Sequence, residues 1–307
     1  MISISPDSIS TRVQQCITDR LSYVDTARVH VPRRLVDEEA AMLRSFCKWE
    51  YGRSRKRKPK PYFNGRMYLE RLDIQRPKTD AINYLRQLFA HEAPPIMNAV
   101  HISLDLITET PEEARRLQEY IVTHIYIPYF SQVRGFTAFE GEQSDSTTYY
   151  FGRQGRPETI AVYSDKSSKI ATNQPCCHFE MRLQGLSRLR RFGIGNIEDI
   201  LDLDYRAFWQ QFLARVKWVE IDLDRLQKRI VKRWPGRRID MNFWLQIIAK
   251  SAEYSSDWKA RGGVKPTATS LVLWSRRAKL GSPRQFVSLI PTPRLELPRA
   301  HARGLYD

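Results

Sequence analysis

Hydrophobic and polar residues alternate along several stretches of the chain and fall into stripes along others, and these two periods mark out its elements. From Tyr23 to Val31, Ala27, Val29 and Val31 lie on one side and Thr26, Arg28 and His30 on the other. That is the period of a half-buried strand, which Pro32 closes. A stripe of Met42, Leu43, Phe46 and Cys47 predicts a helix over about 35–51, with Asp37 accepting hydrogen bonds from its first amides. Tyr62-Phe63, then Asn64-Gly65, then 66–74 read as a hairpin, because Asn-Gly readily takes the positive φ angles of a type I′ turn. Ile82, Leu85, Leu88 and Phe89 give a second helix over about 79–90. Pro94-Pro95, within 91–98, predicts a hinge, since consecutive prolines neither donate to a ladder nor continue a helix.

The order then begins again. A strand over 99–106 is followed by Thr110-Pro111-Glu112-Glu113, which carries a hydroxyl cap, a first-turn proline and a capping-box glutamate, opening a helix to about 125. Strands follow at about 147–152, 159–164 and 176–184. The pattern therefore predicts an α+β protein of two ferredoxin-like or RRM-like lobes with open antiparallel sheets, over 1–91 and 99–190. A helical region over 191–260 comes next, on stripes of Phe208, Phe212, Leu213 and Val216, then Leu223, Leu226 and Ile230, then Phe243, Leu245, Ile247 and Ile248. The segment 261–307, richer in Pro and Gly and basic, reads as a loosely ordered tail, with Arg276, Arg277, Lys279 and Arg284 as a weaker set of phosphate contacts.

Charge adds a partner. The 307 residues carry 50 Lys and Arg against 34 Asp and Glu, a net +16, which predicts a phosphate-bearing ligand. The densest run, Arg53, Arg55, Lys56, Arg57, Lys58 and Lys60, lies between the first helix and the hairpin, where it is read as a DNA-binding loop. A hydrophobic content of 42%, with 11% aromatics, excludes a wholly disordered basic chain. The four cysteines have neither framework nor zinc spacing, which fits a reducing compartment. No signal peptide and no apolar run of about 18 residues is present, so the reading is cytoplasmic, with no membrane.

Strand parity supplies the chemistry. Val100, Ile102, Leu104 and Leu106 face one way and His101, Ser103 and Asp105 the other; Phe179, Met181 and Leu183 oppose His178, Glu180 and Arg182; Ile160 and Val162 oppose Thr159, Ala161 and Tyr163. If these strands are neighbours, His101, Asp105 and Glu180 lie about 5 Å apart on an open face and can share a divalent cation. One imidazole and two carboxylates suit Mg²⁺ or Mn²⁺, the latter tolerating the imidazole better. The same alternation also describes a merely wet sheet face.

Three segments carry a resemblance. Tyr150-Phe151-Gly152, Val162-Tyr163-Ser164-Asp165-Lys166 and His178-Phe179-Glu180-Met181-Arg182-Leu183, with His101-Ile102-Ser103-Leu104-Asp105 upstream, resemble the rolling-circle replication initiators of small plasmids and filamentous phages, the Rep_trans type among the HUH-related endonucleases. Arg66-Met67-Tyr68-Leu69-Glu70 extends the likeness over most of 20–190. The resemblance implies a metal-dependent, site-specific DNA nickase and strand-transfer enzyme, with Tyr163 as nucleophile forming a 5′-phosphotyrosine. It places the metal-site acids on His101, Asp105 and Glu180. His101 stands where the family usually has an acid, and Ser168 where some members keep a glutamate.

Lys166 and Arg182 are then read as phosphate contacts, Lys166 only if its strand ends or bulges before it. The implied partner is origin DNA, single-stranded or as a hairpin. The helices after 197 are left between self-association as a homodimer and contact with a host helicase. A conjugative relaxase with the same chemistry, and a non-catalytic nucleic-acid-binding regulator, remain as alternatives.

Overall fold

The computed structural model describes residues 15–52, 62–63, 66–130, 133–139, 145–152, 157–236, 267–280 and 282–289. The expected basic loop, Arg53 to Lys60, and the stripe at 243–248 lie outside the described residues. Eight strands form one sheet in the order β2-β5-β1-β6-β11-β10-β9-β8, every neighbouring pair antiparallel. Their ranges are β1 (Asp19–Val31), β2 (Lys48–Tyr51), β5 (Glu70–Gln75), β6 (Ile96–Ile107), β8 (Val133–Phe139), β9 (Asp145–Phe151), β10 (Glu158–Tyr163) and β11 (Cys176–Gln184). Between β2 and β5, the short strands β3 (Tyr62–Phe63) and β4 (Arg66–Met67) pair with each other.

The alternation predicts a separate sheet for each lobe; the structure joins the strands of both into the eight-stranded sheet. With helices α1 (Asp37–Phe46) and α2 (Thr79–Leu88), the first part of the chain runs β1-α1-β2-β5-α2 and takes β6 as its last strand, a split βαβ arrangement with β6 beside β1. β6 then serves on its other edge as the partner of β11. Pro94-Pro95 therefore leads into the middle of the sheet rather than parting two. The reason is edge pairing: β1 and β6 offer matching apolar sides, with Val24 opposite Ile102 and Ala27 opposite Val100, and joining them leaves neither edge open.

All of this apolar parity falls on one sheet face, and the helices cover it. Ala40 and Leu43 of α1, Ala81, Ile82 and Leu85 of α2, and Leu117 and Ile121 of α3 (Pro111–His124) join Val24, Ala27, Val100, Ile102, Phe179 and Met181 in one core. Helix α3 starts as expected, Thr110 Oγ1 accepting from the Glu113 amide and Glu113 Oε2 from the Thr110 amide. A short helix, α4 (Leu186–Arg190), follows β11. Helix α5 (Tyr205–Leu213) completes the layer; its Trp209 indole donates to Ser22 Oγ at 2.8 Å.

Two helix expectations change. The helix predicted to 51 stops at Phe46, and Lys48–Tyr51 pairs with β5, because Trp49 and Tyr51 alternate with Lys48 and Glu50 at the period of a strand. Asp37 sits inside the first turn rather than capping it, and Glu39 Oε2 accepts the Val36 amide.

A second, smaller sheet joins β7 (Ile125–Tyr126), β12 (Lys217–Ile221) and β13 (Val287–Leu289). β12 interrupts the expected helical region between α5 and α6 (Leu223–Arg233). The segment expected to be loose contains α7 (Ala268–Arg277), whose Thr269 hydroxyl donates to the Ile125 carbonyl at 2.9 Å and whose Leu271 and Trp274 are buried with Leu226 and Ile230. Arg276 lies over the Tyr126 ring. All four thiols are unbridged. Among the described residues no helix is long and apolar enough to cross a membrane.

Candidate functional site

The face away from the helices carries the polar parity, and register fixes which side chains meet. In the ladder β6-β11-β10, His178 lies opposite both Asp105 and Tyr163, Glu180 opposite Ser103 and Ala161, and Arg182 opposite His101 and Thr159. This face is not uniformly wet. The β10–β11 connection folds over one end of it, and Ile170 and Ala171 pack on Leu21, Ile107 and Cys176. The sheet face is thereby divided into an accessible part and a sealed part.

Glu180 is the hub of the accessible part. Its Oε1 lies 3.2 Å from His101 Nδ1 and accepts from Arg182 Nε at 2.6 Å, while its Oε2 accepts the Tyr163 hydroxyl at 3.2 Å. Asp25 joins His101 and Glu180 with ligand atoms all within 4.8 Å of one another. Asp25 comes from β1, where the register shifts between Val24 and Thr26. The extra residue of that bulge turns the carboxylate out of the helical layer onto the polar face. His101 retains 22% side-chain exposure and Arg182 35%, so solvent reaches the cluster's rim. Lys169 forms an ion pair with Asp25.

The sealed part holds Asp105, Cys176 and His178, all fully or almost fully buried. His178 Nδ1 meets Asp105 Oδ1 at 2.7 Å and its Nε2 meets the Lys166 carbonyl at 3.0 Å. With an acceptor at each nitrogen, the surroundings favour the doubly protonated ring. Burial opposes that charge, but the hydrogen bond and charge of Asp105 outweigh it and raise the His178 pKa. Ser168 Oγ donates to Asp105 Oδ2 at 2.8 Å, and Cys176 Sγ lies 3.2 Å from His178 Nε2. Burial pushes the Cys176 thiol far up, so it stays protonated. The His178 ring stacks on Tyr163, centroids 4.5 Å apart at 23°.

The expected ligand trio is therefore divided. His101 and Glu180 come together, with Asp25 as their carboxylate partner, while Asp105 belongs to the sealed cluster. Tyr163 touches both clusters, bonded to one and stacked on the other. Lys166 follows the end of β10 and points its side chain outward, contributing only its carbonyl; the lysine at the site is Lys169. Arg182 stands beside Glu180 with its guanidinium over the Tyr150 ring.

Electrostatics separate the roles of Tyr163 and Glu180. Burial, then the nearby charges of Glu180 and Asp25, raise the Tyr163 phenol well above its ordinary value. Burial alone would raise Glu180 too, but the His101 hydrogen bond and the Arg182 charge outweigh it and hold the carboxyl well below the usual carboxylate range. At neutral pH a phenol thus donates to a carboxylate. One imidazole and two carboxylates make a hard donor set that fits Mg²⁺ or Mn²⁺. The sealed cluster suits a hard cation less, because its third donor is a thiol that burial keeps protonated and all three of its residues are buried.

No family model and no curated protein matches the chain. Among solved structures it is similar to a rolling circle replication initiator protein from Geobacillus stearothermophilus, at 14% identity and a TM-score of 0.37, over 76% of this chain and 96% of that one. A likeness this loose transfers neither fold nor function.

Proposed function

We propose that the chain nicks and rejoins DNA through Tyr163, as an initiator of rolling-circle replication. The observation that carries this reading is a buried tyrosine hydroxyl bonded to the carboxylate of a three-residue group that could hold a cation, Asp25, His101 and Glu180, with His101 and Arg182 at a rim that solvent reaches. The motif likeness around Tyr150-Phe151-Gly152 and Tyr163 points the same way.

In this reading Asp25, His101 and Glu180 hold Mg²⁺ or Mn²⁺, with Asp25 in the place first given to Asp105. When bound, the ion supplies positive charge against a phosphate oxygen and beside a developing phenolate. The Tyr163 oxygen attacks phosphorus in line, the bond to the 3′ oxygen breaks, and the products are a 5′-phosphotyrosine and a 3′-hydroxyl. Glu180 Oε2 accepts the phenol's hydrogen bond before attack and fixes where the oxygen points. The His178 ring, held by Asp105, backs the phenol on its face and limits its rotation. Arg182 holds Glu180 at rest and lies within reach of a phosphate. Lys169 holds Asp25 as a counter-ion that yields to a stronger cation.

Labelled single-stranded oligonucleotides tiled over DNA flanking the gene, incubated with the protein and Mn²⁺, test this directly. The expected result is a slow-migrating covalent adduct that EDTA prevents and Tyr163→Phe abolishes. An adduct that persists in Tyr163→Phe overturns the nucleophile. Tight binding that survives EDTA with no adduct from any oligonucleotide favours the non-catalytic regulator instead.

A further inference from the structure

A cleft of about 440 Å³ opens beside Asp25, and its lining includes Arg44, Lys48, Arg76, Lys78 and Lys169 but no aspartate or glutamate. These cations come from three places in the chain: the end of α1 and start of β2, the turn between β5 and α2, and the β10–β11 connection. Among the described residues, only Lys169 of the five has a carboxylate partner, and that partner is Asp25 of the cation site. Arg44 lies over the Trp49 ring and Arg76 donates to a carbonyl, which leaves their charges unneutralised, and convergence of such cations from separate segments on one concavity focuses positive potential there.

The cleft is built as well as charged. Arg76 has φ +44°, a left-handed conformation that non-glycine residues adopt at a cost and that recurs at functional sites. There its amide donates to the Asp25 carbonyl at 2.8 Å and its guanidinium to the Lys169 carbonyl at 3.0 Å, so one residue ties the β1 bulge to the β10–β11 connection. Phe46, half-buried, adds an apolar surface to the lining and packs its ring 5.7 Å from that of Tyr84. The volume is in the range of small-molecule sites and has no room for a duplex, whose major groove alone is about 12 Å wide.

We infer that this cleft binds the phosphodiester backbone of a single DNA strand and delivers it past the Lys169–Asp25 pair to Tyr163. The delivery half rests on the nicking reading; the binding half does not. The test is fluorescence anisotropy with labelled oligothymidylate and the full-length protein, in EDTA, over a series of salt concentrations. The variant is Arg44→Gln/Lys48→Gln/Lys78→Gln, three exposed positions, checked for unchanged thermal melting. Each lost single-strand phosphate contact lowers the salt slope by about 0.7, so the expectation is a slope smaller by about 2 and an affinity on the order of 100-fold weaker at 0.1 M salt. A blunt-ended duplex should lose far less. Unchanged affinity and slope for the single strand overturn the inference, and so does an equal loss for the duplex. Because EDTA removes metal-dependent chemistry from the readout, full binding loss here with no adduct in the assay above sinks the nicking reading alone.

Discussion

Two histidine–carboxylate clusters stand side by side on the same face of the same two central strands. In one, His101 keeps contact with solvent while Glu180 is buried beneath it, and a third acid, Asp25, leaves three ligand atoms within reach of one ion. In the other, His178 and Asp105 have no exposure, and the third donor, Cys176, is a thiol that burial keeps protonated. Residue type does not separate them; the chain segment lying over Asp105 and His178 does. The lesson is that a strand pattern identifies a polar face, whereas the connections across that face decide which of its groups are free to act.

The comparison breaks most sharply at Tyr163 and Glu180. Tyr163→Phe should remove the adduct entirely, and Glu180→Gln should cut its rate at least a hundredfold, beyond the 10- to 100-fold typical of outer partners at metal sites. Both are read from single-turnover gels. Asp25 and Asp105 then form the discriminating pair. Asp25→Asn, which removes a ligand's charge, should slow adduct formation by about 100-fold or more, above the range for outer partners, while changing stability by about 1 kcal/mol or less, since its partner Lys169 is partly exposed. Asp105→Asn breaks the fully buried pair with His178 by removing its carboxylate and should cost about 3–5 kcal/mol in urea unfolding. Per folded molecule it should retain far more activity than Asp25→Asn; equal loss from the two variants would erase the distinction.

The two clusters also respond oppositely to pH. His178 has a raised folded-state pKa, so its stabilisation is complete below an unfolded value of about 6.5 and is lost as pH rises through the folded one. Glu180 has a depressed folded-state pKa, so its contribution is complete above about 4.3 and is lost as pH falls through the folded one. Urea midpoints taken from pH 3 to 9 should decline at both ends, and His178→Gln should flatten the alkaline limb only. Ser168→Ala is a milder change than Asp105→Asn. It strips one hydrogen bond from Asp105 and one acceptor from the Ile170 and Ala171 amides, and should cost about 1–3 kcal/mol by the same urea titration.

Much of the sheet was legible because β6, β10 and β11 alternate without interruption, so parity placed His101, Glu180 and Tyr163 on one face. The cap of α3 was legible because its signals are local, Thr110, Pro111 and Glu113 within four residues. Asp25 was not, because uniform alternation assigns it to the side of Ala27 and Val29, and the bulge that reverses it depends on the β6 register. A carboxylate among buried apolar positions was itself the available signal. Strand β2 was hidden by a preceding helical stripe and appears only through its pairing with β5. The sealing of Asp105 was not legible at all, since Ser168 and Lys169 reach the face through a connection whose path no local period encodes.

The seam between β1 and β6 has a practical consequence. Among the described residues these are the two longest strands, 13 and 12 residues, and each is the other's neighbour in the middle of the sheet. Severing the chain at Pro94-Pro95 and producing the pieces separately would bare a long hydrogen-bonding edge on each, a template for association with foreign chains. The halves should be soluble only when made together, where each finds its complement before it finds a copy of itself.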